Sequence, residues 1–203
     1  MKKEVVIIGG GFAGLNLVKH LVEEPDFHIT LVDMNNYNLF PPLLYQVATG
    51  FLEVSNICYP FRKFFHGRRN VSFRLGDLKE VITQDNKVLL STGELSYDYL
   101  VLATGTETNY FGMENIRKAA LPMKTVDDAI EIRNDMIQKM EEATVVAGAQ
   151  KVPLSVIIAG GGPTGVEIAG MLAEMRENIL QKDYPELDYK HLILIGHSNG
   201  GDM

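Results

Sequence analysis

The residues whose spacing carries the most chemistry form two glycine-rich turns. Gly9-Gly10-Gly11-Phe12-Ala13-Gly14 and Gly160-Gly161-Gly162-Pro163-Thr164-Gly165 both read G-x-G-x-x-G. In that pattern the first glycine makes a tight turn, the second lets backbone approach a pyrophosphate, and the third lets a helix pack close to a strand. The helix that follows presents free N–H groups and a partial positive charge to the phosphates. The chemistry on offer is dinucleotide binding, twice. Asp33 ends the strand after the first turn, near the ~20-residue offset at which an acid takes a ribose hydroxyl pair. The strand after the second turn, "HLILI", runs instead into Gly196, His197 and Ser198, with no arginine there for a 2′-phosphate. Glu167 is read in the first turn of the second helix, where the helix dipole alone accounts for a carboxylate.

Such turns need a strand before them and a helix after. "EVVII" is a continuous β-branched run, as in a strand buried on both faces of a parallel sheet. Leu15, Val18, Leu21 and Val22 recur at helical spacing, and His28–Asp33 reads as the second strand. A polar loop, "MNNYN", follows; Pro41-Pro42 then breaks regular structure before one or two helical turns over Leu43 to Thr49. From Val71 to Leu102, "VSFRL", "EVITQ", "KVLLS" and "YDYLVLATG" read as an antiparallel meander whose last strand returns to the parallel sheet, with a tight turn at Asp85-Asn86. A helix opens at a capping box of Thr125 and Asp128 and carries one mixed apolar stripe of Ile130, Arg133-Asn134, Ile137 and Met140-Glu141. "TVVAGAQKVP" reads as a linker, and the second βαβ unit begins at Leu154.

Composition narrows the function classes. Of 203 residues 46% are hydrophobic and 22% charged, which suits a chain that buries a core. A formal net charge of −7 argues against nucleic acid as a partner. Arg62, Lys63, Arg68 and Arg69 form the basic cluster, read as solvated surface. The single cysteine, Cys58, excludes a disulfide framework and a cysteine-rich metal site, and no metal is expected. The chain opens without the apolar segment of a signal peptide, and no apolar run approaches the ~20 residues of a membrane span. A cytoplasmic protein with no membrane anchor is expected.

Two glycine units around a meander ending in "LVLATG" resemble the two-dinucleotide flavoproteins, whose first unit holds FAD and whose second holds NAD(P)H. Within that group "NYNLFPPLLYQVATG", "YDYLVLATGTETNYFG" and "GPTGVEIAG" resemble type II NADH dehydrogenases, the non-pumping NADH:quinone oxidoreductases. The resemblance runs from Val5 to about Ile195. It implies a Rossmann-like FAD-binding parallel sheet with an antiparallel meander, followed by a partial second Rossmann-like unit for NADH. The domains expected are 1–115 for FAD, 116–153 as connecting helix and linker, and 154–203 for NADH. It also implies that Gly9, Gly10, Gly11, Phe12, Ala13 and Gly14 cradle the FAD pyrophosphate and that Asp33, with Met34 beside it, takes the adenosine ribose. Asn38 and Gln46 would approach the middle of the cofactor, Leu78 the adenine, and Ala103, Thr104 and Gly105 the flavin. Gly160 to Gly165 would bind NADH, and Glu167 would help protonate a quinone.

The disulfide-reductase branch of these flavoproteins carries a redox cysteine pair where Asn35 to Gly50 here has none, so the electrons leave for something other than a protein disulfide. The acceptor that the resemblance to type II NADH dehydrogenases implies is a quinone. Cys58 is read as a buried small hydrophobe. Full-length members of the family continue further and dock on the inner face of the cytoplasmic membrane, so a truncated chain that binds flavin weakly is expected. Two alternatives stay open at this point. One is a catalytically silent nucleotide-binding remnant that self-associates, as in a homodimer; the other is a flavoprotein reductase passing electrons to an iron–sulfur protein or to oxygen. The choice between NADH and NADPH stays open as well.

Overall fold

In the computed structural model, residues 2–146, 155–185, 187 and 193–197 are described. In chain order the elements are β1 (Lys3–Ile8), α1 (Phe12–Leu21), β2 (Phe27–Asp33), β3 (Tyr37–Leu39), a 3-10 turn (Pro41–Leu43), α2 (Leu44–Ala48), α3 (Val54–Ile57), β4 (Cys58–Pro60) and α4 (Phe61–Phe64). There follow β5 (Val71–Leu75), β6 (Leu78–Ile82), β7 (Lys87–Leu90), β8 (Gly93–Ser96), β9 (Tyr99–Leu102), α5 (Glu114–Ala119), α6 (Val126–Val146), β10 (Ser155–Ala159), α7 (Pro163–Asn178), α8 (Leu180–Asp183) and β11 (Ile193–His197). Contacts gather these into two compact units, Met1–Phe40 with Cys58–Glu107 and Pro41–Ile57 with Thr108–Met203.

The first unit is built on a parallel sheet in the order β5-β2-β1-β9. Its central strands are the two continuous apolar runs, and Val5 to Ile8 and Ile29 to Val32 are all buried. Both faces are covered, as such strands require. On one face Val5, Ile7, Ile29 and Leu31 pack with Leu15 and Val18 of α1 and with Phe61, Phe65 and Phe73. On the other, Val6, Ile8 and Val32 pack with Val88 and Leu90 of the three-stranded antiparallel meander β6-β7-β8. Asn86, at φ 49°, makes the turn expected at Asp85-Asn86.

Two expectations for this unit change. "VSFRL" belongs to the parallel sheet and not to the meander: β5 runs in register with β2 from Ile29↔Val71 to Asp33↔Leu75. Its Val71 and Phe73 alternate into the apolar face, so tertiary burial decides the partner where strand propensity could not. The polar loop after Asp33 is in part a strand: β3 pairs antiparallel with β4, Tyr37↔Pro60 through Leu39↔Cys58.

In the second unit, α6 starts at the expected capping box. Thr125 N–H donates to Asp128 Oδ2 at 2.8 Å, and Asp128 N–H donates to Thr125 Oγ1 at 3.1 Å. Its buried stripe is Val126, Ala129 and Met140, whereas Ile137 is exposed, so the expected stripe is rotated on the helix. The helix runs on to Val146, into the stretch read as linker; residues 147–154 lie outside the described ones. Met140 packs with Leu172, Met175 and Leu180 of α7 and α8, with Val156 and Ile158 of β10 against them. α2 packs on α6 and α7, and β10 pairs parallel with β11.

Candidate functional site: two glycine turns

The peptide of Gly10 is held from three sides. Its N–H donates to Asp33 Oδ2 at 2.6 Å. Its carbonyl accepts Asn38 Nδ2 at 2.8 Å. Beneath it lies the ring of Phe61, fully buried, close enough that a Cβ on Gly10 would strike it. The second Asp33 oxygen accepts Asn35 N–H at 2.8 Å, so the carboxylate is oriented from both sides of the loop. β2 therefore delivers Asp33, the β3–β4 ribbon delivers Asn38, and α4 delivers Phe61 to one turn.

Around this turn the other expected residues fall as follows. Gly9, at φ 105°, leaves no room for a side chain, because a Cβ there would meet the Ala103 carbonyl. Ala103 N–H donates in turn to Ile8 O at 2.7 Å, which sets Ala103, Thr104 and Gly105 beside Gly9 as β9 ends. Gly14 approaches the Gly9 carbonyl, closing helix on strand. Gly76 N–H donates to the Asp33 carbonyl at 2.9 Å, and Leu78 follows at the start of β6, paired with Leu90. Phe12 is exposed and meets Phe40 edge-to-face at 5.7 Å between ring centroids; Met34 is exposed too. Gln46 belongs to the second unit, on α2, where its amide donates to Tyr45 Oη at 3.2 Å.

The second turn repeats the first in detail. Gly160 has φ 129°, and a Cβ on Gly165 would meet the Gly160 carbonyl just as one on Gly14 would meet Gly9. Pro163 opens α7, where its missing N–H costs no hydrogen bond. The turn forms part of a cavity of about 910 Å³ within the second unit, lined in part by Val156, Ile158 and Leu172. Glu167 is exposed, and as the fifth residue of α7 it lies just past the first turn where it was expected. The β10–β11 register also moves the position that answers Asp33. Ala159 pairs with His197 as Ile8 pairs with Val32, so the equivalent of Asp33 is residue 198, and not Gly196. Residue 198 lies outside the described residues.

Both turns fit a pyrophosphate. Gly11 and Gly162 are the N-caps of α1 and α7, neither helix has a side-chain cap, and neither has an acid in its first turn. A Cβ on Gly11 or Gly162 would meet no atom within 4 Å, so the space before each helix N-terminus is open. An anion placed there gains the unpaired N–H groups of the helix and its dipole.

Phe61 is the residue that sequence reasoning missed. It stands in "FRKFFHGRR", which reads as basic surface, and the signal was the i, i+4 pair Phe61 and Phe65, both buried. The cations of that stretch do lie outside, with Arg62 over the Phe73 ring at 5.4 Å and Lys63 over Tyr59 at 5.5 Å. Cys58 is half-buried, and burial pushes its thiol pKa up, away from the thiolate that redox chemistry needs. Among the described residues no cluster of His, Cys, Asp and Glu could hold a metal ion, and no helix is long and apolar enough to cross a membrane.

Comparison with known proteins agrees with this geometry. The chain is 36% identical over 193 residues to the type II NADH:quinone oxidoreductase Ndh of Mycobacterium tuberculosis, covering 92% of this chain and 42% of that protein. It is 38% identical over 185 residues to NdhA of the same organism, covering 88% and 39%. Among solved structures, NDH2 from Plasmodium falciparum in complex with NADH superposes with a TM-score of 0.85 at 26% identity, over 97% of this chain and 41% of that one. The chain thus spans about four tenths of the length of these relatives. A family match over residues 3–187 takes in both glycine turns and everything between them, and by it the chain belongs to the pyridine nucleotide-disulphide oxidoreductase family.

Proposed function

We propose that the first glycine turn binds FAD and the second binds NADH, as part of an NADH:quinone oxidoreductase. The observation that carries this reading is the duplication itself. Two turns of one geometry, each with an uncapped helix N-terminus and open space before it, offer two pyrophosphate sites in one chain. The names of the Mycobacterium tuberculosis and Plasmodium falciparum proteins supply NADH as donor and, for the former, a quinone as acceptor.

In this reading Gly11 and the N-terminus of α1 take the FAD pyrophosphate. Asp33, already aimed at the turn by Gly10 and Asn35, accepts from ribose hydroxyls, while Asn38 fixes the Gly10 peptide. Ala103 to Gly105 and Leu78 complete the FAD side, and Gly160 to Gly165 take the NADH phosphates. When bound, the flavin would supply the two-electron chemistry that joins hydride from NADH to a quinone. Glu167, exposed on α7, would be the residue that helps protonate the quinone. The absence of a cysteine pair leaves no protein disulfide in this chain to act as internal acceptor.

The test is a visible spectrum of the purified chain incubated with FAD, followed by anaerobic addition of NADH. A two-banded flavin spectrum that bleaches, and recovers its colour when a soluble quinone is added, is the expected result. Failure to retain flavin would overturn the FAD assignment. Flavin that NADH leaves coloured would overturn the assignment of the second turn.

A further inference from the structure

Phe111 is a bulky residue in a backbone conformation that costs it energy. Its φ is 50°, in the left-handed region that non-glycine residues rarely enter and that marks a genuine outlier for a large side chain. Glycine is the residue suited to such a place, and Gly112 follows at once with φ 77°. The strained turn is pinned: Phe111 N–H donates to Asn109 Oδ1 at 2.8 Å, and Met113 N–H donates to the Tyr110 carbonyl at 2.9 Å as α5 begins. Yet the strain earns no burial. The ring is 80% exposed, the most exposed of the large aromatic side chains among the described residues. A residue held against its preference with its ring in water has no role in the packing of the unit.

Phe111 is also one of the residues lining the cavity of about 910 Å³ that contains Gly160 to Gly165. That size lies within the range of about 300–1,000 Å³ usual for cofactor sites, which are lined mainly by apolar and aromatic groups. Strained residues of this kind gather at ligand clamps.

We infer that Phe111 is a stacking residue for the dinucleotide held by the second glycine turn, packing its ring against one of the two bases while the phosphates lie at the N-terminus of α7. This rests on the assignment of a dinucleotide to the second turn. An exposed ring on the wall of a phosphate-binding cavity gives a planar base what backbone amides cannot, an apolar face on which to stack. The Asn109 hydrogen bond fixes the turn before the ligand arrives, so little ordering is left for binding to accomplish.

The experiment is a titration of the full chain with NADH, followed by nucleotide fluorescence, for the wild type, Phe111→Asn, Phe111→Gly and Phe111→Tyr, with the melting temperature of each. Asparagine and glycine tolerate the left-handed backbone and lack the ring; tyrosine keeps the ring. Stacking predicts that Phe111→Asn and Phe111→Gly bind NADH about 10-fold more weakly, that Phe111→Tyr binds as the wild type does, and that the asparagine and glycine variants melt no lower than the wild type. ADP-ribose, titrated in parallel, shows which base is involved: an equal loss assigns the adenine, and no loss the nicotinamide. Unchanged NADH affinity in both ring-less variants, with the wild type binding, would overturn the role of Phe111 alone. A wild-type chain that does not bind NADH would overturn the nucleotide assignment of the second turn, and this inference with it.

Discussion

The carboxylate of Asp33 and the backbone N–H of Gly10 form a hydrogen bond of 2.6 Å that spans the end of β2 and the first glycine turn. It makes Asp33 a structural member of the turn as well as a candidate for the ribose. Replacing it with alanine leaves a part-buried N–H without its acceptor, at a cost of about 1–3 kcal/mol. Asp33→Asn, which keeps one carbonyl oxygen, is expected to cost less while losing as much FAD affinity. Urea unfolding together with flavin retention separates the two effects.

Gly9 and Gly11 stand two residues apart and should fail in opposite ways. Gly9→Ala forces a side chain onto a left-handed backbone and into the Ala103 carbonyl, so a destabilisation of about 2–4 kcal/mol is expected. Gly11→Ala meets open space at φ −70°. It should change the melting temperature little and yet abolish flavin retention by filling the phosphate site. A Gly11→Ala chain that binds FAD normally would place the pyrophosphate elsewhere.

The capping box of α6 offers a prediction independent of any cofactor. Asp128→Ala removes acceptors for the N–H groups of both Lys124 and Thr125. A loss of about 1 kcal/mol is expected by thermal or urea unfolding.

Asp98 links stability to pH. The Lys3 ammonium, and then the Glu4 N–H, hold its carboxyl below the ordinary value. A carboxylate depressed in the folded state stabilises above its unfolded pKa, about 3.9, and that contribution is lost as pH falls through the folded value. The stability gap between wild type and Asp98→Asn should be open at pH 7 and close below about pH 4. Lys3 is raised by the same partner, so its share persists until the pH rises past about 10. Urea unfolding across this range reads both limits.

What could be read in the sequence was what local pattern determines. The apolar runs of β1 and β2, the two G-x-G-x-x-G turns and the Thr125–Asp128 box declare themselves within a few residues. The placement of β5 did not, because "VSFRL" is as good a meander strand as a sheet strand until Phe73 finds Phe61. The stripe on α6 slipped because Ile137 is apolar and exposed, and hydrophobicity alone does not say which face meets α7. The end of the last strand was read short for a similar reason: only the register of β10 on β11 shows that the strand runs past Gly196 to His197, opposite Ala159. Asn38 came from family resemblance, but its bond to the Gly10 carbonyl depends on a ribbon between β3 and β4 that the polar sequence hides.

Phe61 under Gly10 has a consequence for how this protein can vary. One ring is shared between the hydrophobic core and the floor of the first turn. Substitutions that repack Phe65 or Phe73 shift that ring, and the loop above must follow. A selection imposed only on thermal tolerance would therefore be, unasked, a selection on the shape of the first glycine turn. Core and turn are free to drift only as a pair.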